Sequence, residues 1–309
     1  MEFDVVTVGG ATVDLFLLID PTNPSFKYNK DTNEVSFSLG EKVILDNAKI
    51  LTGGNAGNVA IGLRKLGFKT ALVAEIGSDE FSENVLFTLK KEGVDTSFVK
   101  KGTGDTSFSV ILNYKEDRTI FTRKVEKDHD FSFDQIVTKW VYLTSLGNKW
   151  EDVYERVSYF VDSKKIKLAF NPGGAQIEKG ITGISFLLKQ TEVFIVNKEE
   201  AVKLVGEKEI KDLLFELKKQ GPKIVVITDG KNGSFAIDDK GEVIHEEALR
   251  VRVISKTGAG DAYSSGFLGA LIYDKPIKEA MGWGTKNAAS ELRRVGANSG
   301  TMTLEQIQK

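Results

Sequence analysis

Cysteine is absent from the 309 residues. Its absence excludes a disulfide scaffold, a Cys-ligated zinc or iron–sulfur centre, and a thiol nucleophile. Histidine occurs only as His129 and His245, too few for a His-cluster metal site. Proline is scarce, at 5 residues, beside 30 glycines; glycine without proline points away from disordered linkers. No sign of charge dominates: 42 Lys and Arg face 44 Asp and Glu, a formal net charge of -2. A nucleic-acid partner usually brings a basic excess, so none is expected. No apolar run approaches the roughly 20 residues of a membrane helix. The opening Met1-Glu2-Phe3-Asp4 lacks the basic n-region of a secretory signal, so the expected location is the cytoplasm. Two nucleotide motifs are also missing. There is no G-x-x-x-x-G-K-[ST], and the first turn, Gly9-Gly10-Ala11-Thr12-Val13, lacks the dinucleotide pattern G-x-G-x-x-G.

What is present reads as one large α/β domain over residues 1–309, with ample chain to bury a core. Val5 to Val8 reads as a buried parallel strand. Strands at 70–76, 140–144, 167–170, 193–196 and 223–228 alternate with helices at 55–66, 80–92, 151–163, 177–189, 198–204 and 209–219. That alternation predicts a doubly wound, mostly parallel sheet with helices on both faces. Two β-rich stretches, about 15–50 and 98–125, interrupt the pattern. They are expected to assemble a small β-sheet lid, with edge strands of the main sheet as the alternative.

The glycines cluster at strand ends and helix starts. Thr257-Gly258-Ala259-Gly260-Asp261 opens a helix rich in small residues. Unpaired N–H groups and the positive dipole end at such a start attract an anion. Asp261 either serves the helix electrostatically or acts as a base beside that anion hole. Thr52-Gly53-Gly54-Asn55-Ala56-Gly57-Asn58 is a tight loop or a cradle for a polar ligand, since Asn amides suit sugar hydroxyls. Asp14 is a turn residue or a ligand contact near the end of the first strand. Thr228-Asp229-Gly230-Lys231-Asn232-Gly233 reads as a hairpin. Asn197 and Glu200 read as a helix capping box, or as an amide and carboxylate that hold Mg²⁺ through water.

Taken together and in this order, these segments resemble the ribokinase-like (PfkB) carbohydrate kinase family. The similarity spans Gly9 and Asp14, then Gly53, Gly54 and Asn58, then Asn197 and Glu200, then Thr228 and Gly230, then Thr257 to Asp261. It implies an ATP- and Mg²⁺-dependent kinase acting on a hydroxyl of a small sugar or sugar derivative. A nucleoside kinase of the same fold, and a non-catalytic sugar- or nucleotide-binding homologue, are the alternatives. The resemblance makes Asp261 the base and the backbone of Gly258, Ala259 and Gly260 the anion hole. It makes Asp14, Gly54 and Asn58 substrate contacts, and Asn197 with Glu200 the organisers of Mg²⁺ and phosphates. Thr228, Gly230 and Gly233 would line the nucleotide, with Asn287 near the adenine. The lid often mediates homodimers in this family. Two further expectations follow. Family members on sugar acids often carry an Arg in the lid, and Arg123, among Arg118, Lys124 and Lys127, would clamp a carboxylate. Many members have an Asp that helps bind a monovalent cation before Thr-Gly-Ala-Gly-Asp; here Ser255-Lys256 stands instead, so Lys256 is expected to substitute for that cation.

Overall fold

The computed structural model describes residues 2–45, 47–115 and 117–309. Met1, and Asp46 and Glu116 of the two expected lid stretches, lie outside the described residues. In chain order the elements begin with β1 (Glu2–Val8), β2 (Thr12–Ile19), β3 (Lys27–Asn29), β4 (Glu34–Ser36), β5 (Asn47–Gly53), α1 (Asn55–Lys65), β6 (Thr70–Ile76) and α2 (Glu80–Lys91). β7 (Val99–Lys101), β8 (Phe108–Tyr114), β9 (Asp117–Arg123), β10 (Val137–Thr144), α3 (Trp150–Lys164), β11 (Lys167–Asn171), α4 (Gly174–Glu178) and α5 (Gly180–Leu188) follow. The chain closes with β12 (Thr191–Asn197), α6 (Lys198–Val205), α7 (Ile210–Lys218), β13 (Ile224–Thr228), β14 (Ser234–Ile237), β15 (Val243–Glu246), α8 (Ala259–Ile272), α9 (Ile277–Glu291) and α10 (Leu304–Gln308).

The main sheet runs β15-β14-β13-β12-β11-β10-β1-β6-β7. Its strands from β13 to β7 pair in parallel, and β14 and β15 join antiparallel at one edge. Alternation along β1 shows why both faces are covered. Val6 and Val8 pack into one core layer with Val153 of α3, Leu187 of α5 and Leu213 of α7. Val5 packs into the other, with Leu63 of α1, Phe267 of α8 and Met281 of α9. A strand buried on both faces reads as a continuous apolar run, which is how Val5 to Val8 reads.

The second sheet, β5-β2-β8-β9, is separate from the main one, and β3 and β4 form a hairpin beside it. Both β-rich stretches contribute: β2 pairs with β5 from its own stretch and with β8 from the other. The edge-strand alternative therefore fails for these strands. It holds for β7, which lies inside the 98–125 stretch yet pairs with β6 in the main sheet. Two further differences have local causes. The helix expected over 177–189 is split at Gly180, whose φ is 78°, a left-handed conformation that ends α4. The apolar run Lys42-Val43-Ile44-Leu45 within the 15–50 stretch reads as a strand, yet none forms there; the pairing partner of β2 is Asn47–Gly53, whose outer half is exposed and carries little apolar signal.

Alternation in the small sheet separates two faces. Asp14, Phe16, Ile111 and Asn113 are buried toward the body. Leu15, Ile50, Val110 and Phe121 stand side by side across the four strands on the other face.

Candidate active site

Asp261 sits in the first turn of α8, which enters from Gly258 at φ 80°. A Cβ at Gly258 would collide with the backbone of Ala297, so the turn needs glycine both for its conformation and for this approach. Around Gly260 nothing lies within 4 Å of where a Cβ would stand. The helix start is thus open on that side, and its first N–H groups have no acceptor within the helix.

Asp261 is held by Asn58 of α1, whose Nδ2 donates to Oδ2 at 2.8 Å. Asn58 Oδ1 in turn accepts from Asn298 Nδ2 at 2.8 Å, and Asn298 Nδ2 also donates to the Thr52 carbonyl at 3.2 Å. Because Asn298 can only donate here, it fixes which way the Asn58 amide points. Asp14 of β2 is buried nearby, and Gly53 leaves room for its carboxylate, since a Cβ there would overlap it.

Burial governs the charge of both acids. It pushes the Asp261 carboxyl up to about 7; the Asn58 hydrogen bond opposes the rise, and the charges of Asp14 and Glu291 add to it. Burial pushes Asp14 up to about 6, opposed by a hydrogen bond from the Ser109 hydroxyl. A carboxylate poised near neutrality beside an open helix start suits proton abstraction next to a developing anion.

A cavity of about 320 Å³ connects these groups, with Gly9, Asp14, Gly54, Asn58, Gly258 and Asp261 in its wall. The substrate-contact set expected from the sequence is therefore brought together, apart from Arg123. That guanidinium forms an ion pair with Asp105 at 2.7 Å and is about half exposed. The cause is strand parity: Ile120 and Thr122 of β9 line the cavity, so Arg123 faces the other way. Lys124, one residue on, lines the cavity instead.

The expected nucleotide residues gather at the carboxyl edge of the main sheet. Asn197 and Thr228 are register partners at the ends of β12 and β13. Gly230 and Gly233 lie in the turn that follows, closed by Asp229 N–H to the Gly233 carbonyl at 2.8 Å. Asn197 and Glu200 form the reciprocal capping box, at 2.8 and 2.9 Å. Burial also raises the Glu200 carboxyl above its usual range. Asn287 differs from expectation. It is fully buried in α9, its amide donates to the Ala262 carbonyl and Ser265 Oγ, and its oxygen accepts from Met302 N–H. With its amide spent this way it braces α8 against α9 and has no edge to offer an adenine. The Lys256 ammonium reaches across to Asp117 at the start of β9, 3.3 Å away, and is about half exposed.

Several residues in or behind the cavity wall carried no expected role. Asn298 lies in Gly296-Ala297-Asn298-Ser299-Gly300, a glycine-bracketed polar loop that the cluster reading would have flagged. Glu75 and His129 also line the cavity; a lone acid in an apolar strand and a lone His in a charged coil give little signal. Among the described residues, no group of three or more His, Asp or Glu is placed to hold a metal ion, and no helix is long and apolar enough to cross a membrane.

Known proteins bear on this arrangement directly. The chain is 26% identical over 310 residues to an ATP-dependent 6-phosphofructokinase of Thermoanaerobacterium thermosaccharolyticum, covering 96% of this chain and 90% of that one. It is 26% identical to a 5-dehydro-2-deoxygluconokinase of Halalkalibacterium halodurans, over 99% of this chain and 94% of the relative. The fold superposes on a putative ribokinase from Agrobacterium tumefaciens with a TM-score of 0.82, at 19% identity, over 100% of this chain and 97% of that structure. The family described as pfkB family carbohydrate kinase matches residues 26–304, and the protein belongs to it.

Proposed function

We propose that the protein transfers the γ-phosphoryl group of ATP to a hydroxyl of a small sugar derivative, with Asp261 as the base. The observation that carries this reading is the placement of Asp261: oriented by Asn58, in the first turn of α8, at the wall of a cavity of sugar size. A hydroxyl seated between Asp14 and Asn58 would give its proton to Asp261 as it attacks. The helix start at Gly258, Ala259 and Gly260 would stabilise the charge that develops. ATP, when bound, supplies the phosphoryl group, and Mg²⁺ offsets its charge.

The residues fit those two groups. Thr257 Oγ1 is buried without a partner beside the open Gly260 position, so a polar acceptor is wanted there. Asn197, Thr228, Gly230 and Gly233 offer a polar sheet edge for the nucleotide. Glu200 is the nearby carboxylate for a hydrated Mg²⁺, which keeps several waters and needs few protein ligands.

The small sheet acts as a lid whose inward face, through Asp14, Ser109 and Ile111, closes the cavity and keeps water from the reacting centre. Its outward face supports a homodimer. Phe121 is 56% and Ile50 52% exposed in the row they form with Leu15 and Val110, an apolar band that a second copy would cover. The protein would work in the cytoplasm, where ATP is available.

The names of the two relatives point to sugar derivatives as acceptors. An ATP-consumption screen across aldoses, ketoses, sugar acids, sugar phosphates and nucleosides tests the assignment. Acceptor-dependent consumption that Asp261→Asn abolishes supports it; consumption with nucleosides alone, or with nothing, overturns it.

A further inference from the structure

The cavity has a second polar cluster that the transfer chemistry does not use. It is built from Glu75 near the end of β6 and from the coil after β9, where Lys124, Lys127 and His129 line the same wall. Lys127 is only 7% exposed. Among the described residues its ammonium has one hydrogen bond, to the backbone carbonyl of Asp105 at 2.9 Å. The Asp105 carboxylate is already paired with Arg123. Among the described residues no carboxylate lies within 4 Å of Lys127, so a buried ammonium with three donors has one neutral acceptor. Burying a charge this way costs free energy unless an anion completes it.

His129 adds a second signal. It is 5% exposed; among the described residues neither ring nitrogen has a hydrogen-bond partner, and Nδ1 stands 4.0 Å from Glu75 Oε2. Its backbone is held in place: N–H donates to Glu75 Oε2 at 2.7 Å, and its carbonyl accepts from Arg156 at 2.7 Å. It adopts a left-handed conformation, φ 50°, uncommon for residues other than glycine. Burial holds the ring below its ordinary pKa, against the pull of Glu75, so the neutral imidazole keeps one N–H to donate. Glu75 is the one acid in this part of the wall, and it already accepts the His129 N–H.

We propose that this cluster recognises an anionic group, a carboxylate or a phosphate, carried by the sugar away from the hydroxyl that is phosphorylated. Lys127 supplies the ion pair, His129 a ring N–H, and Lys124 a further positive charge at the exposed margin. The inference rests on the kinase reading and narrows its substrate to sugar acids or sugar phosphates. It also moves the expected clamp from Arg123 to residues that do line the cavity.

The test compares matched acceptors: glucose, gluconate and glucose 6-phosphate, then fructose and fructose 6-phosphate. The wild-type protein should prefer an anionic member of a set, and Lys127→Gln should lower the ratio of kcat/KM for anion over neutral sugar by about 10- to 100-fold, the worth of one hydrogen bond to a charged group. His129→Asn, which tolerates the left-handed backbone, should lower the same ratio if the Lys127 variant folds poorly. A gain in Tm on adding gluconate or glucose 6-phosphate without ATP reads binding alone, and which of the two acts separates carboxylate from phosphate. Preference for neutral sugars, or a ratio unchanged in both variants, overturns the anion assignment while leaving the kinase intact. No consumption with any acceptor overturns the kinase reading instead; a Tm gain from the anions that Lys127→Gln removes would still support the anion cluster, and no gain would overturn it.

Discussion

Asn58 Nδ2 meets Asp261 Oδ2 at 2.8 Å, although the two residues are 203 positions apart. One opens into α1 behind the first glycine loop; the other opens α8 behind the last. The bond ties the start of α1 to the start of α8, holds the carboxylate in position and opposes the rise in its pKa that burial causes.

The first prediction concerns that acidity. With its carboxyl near 7, Asp261 is largely protonated below neutrality and cannot accept a proton there. At saturating Mg·ATP, kcat/KM for the sugar should climb with pH up to about 7 and then level. Asp261→Asn should lower kcat by about 10²–10⁴-fold, the usual worth of general-base help, and flatten the climb. A variant with near-normal turnover would show that the base lies elsewhere.

The second prediction follows from the chain Asn298–Asn58–Asp261. The Asn58 bond favours the ionised form of Asp261, so its loss should push the carboxyl higher. Asn58→Ala should therefore move the acid limb of the pH profile to higher pH. Asn298→Ala frees the Asn58 amide to turn and should move it the same way by less. A drop in rate with no movement of the limb would reduce Asn298 to a purely structural strut.

A third prediction reads the same charge as stability. Asp14 and Asp261 hold protons more tightly in the fold than at the ordinary value of 3.8. The folded protein then binds more protons than the unfolded chain between about 4 and 7, and their contribution to stability falls as pH rises through that window. The Tm of unliganded Asp261→Asn should match wild type near pH 4 and exceed it by a few degrees at pH 7.5. Equal values at both would mean that ionising Asp261 costs the fold nothing.

Sequence reading was strong where one physical cause dominates. Val5 to Val8 is buried on both faces, so its apolar run announces a parallel strand. Gly258 must be glycine because Ala297 crowds it, so the turn that opens α8 is legible as a motif. Parity was not legible: whether Arg123 or Lys124 faces the cavity depends on where β9 ends and on register with β8. Nor was the fate of Asn287, whose polar side chain looks ligand-ready until α8 is packed on it. Lys127 and His129 lie in an irregular coil, where no period tells inside from outside. Tertiary contacts with Glu75 of β6, the Asp105 carbonyl and Arg156 of α3 hold this coil in place.

The outward face of the lid yields the last prediction. Ile50, Leu15, Val110 and Phe121 form a continuous row across β5, β2, β8 and β9. The body side of the same strands is already satisfied by Phe16 and Ile111, which are buried. Two copies that meet through this row would remove apolar area from water, at roughly 25 cal/mol per Å², and would cover the exposed Phe121 and Ile50. Phe121→Glu and Ile50→Glu place charges at the two exposed ends of that row. Each should convert a dimer to a monomer in sedimentation while leaving the far-UV dichroism unchanged. With the small sheet closing the cavity as proposed, the monomer should show a raised KM for the sugar more than a lowered kcat. A wild-type protein that sediments as a monomer at micromolar concentration would rule the contact out.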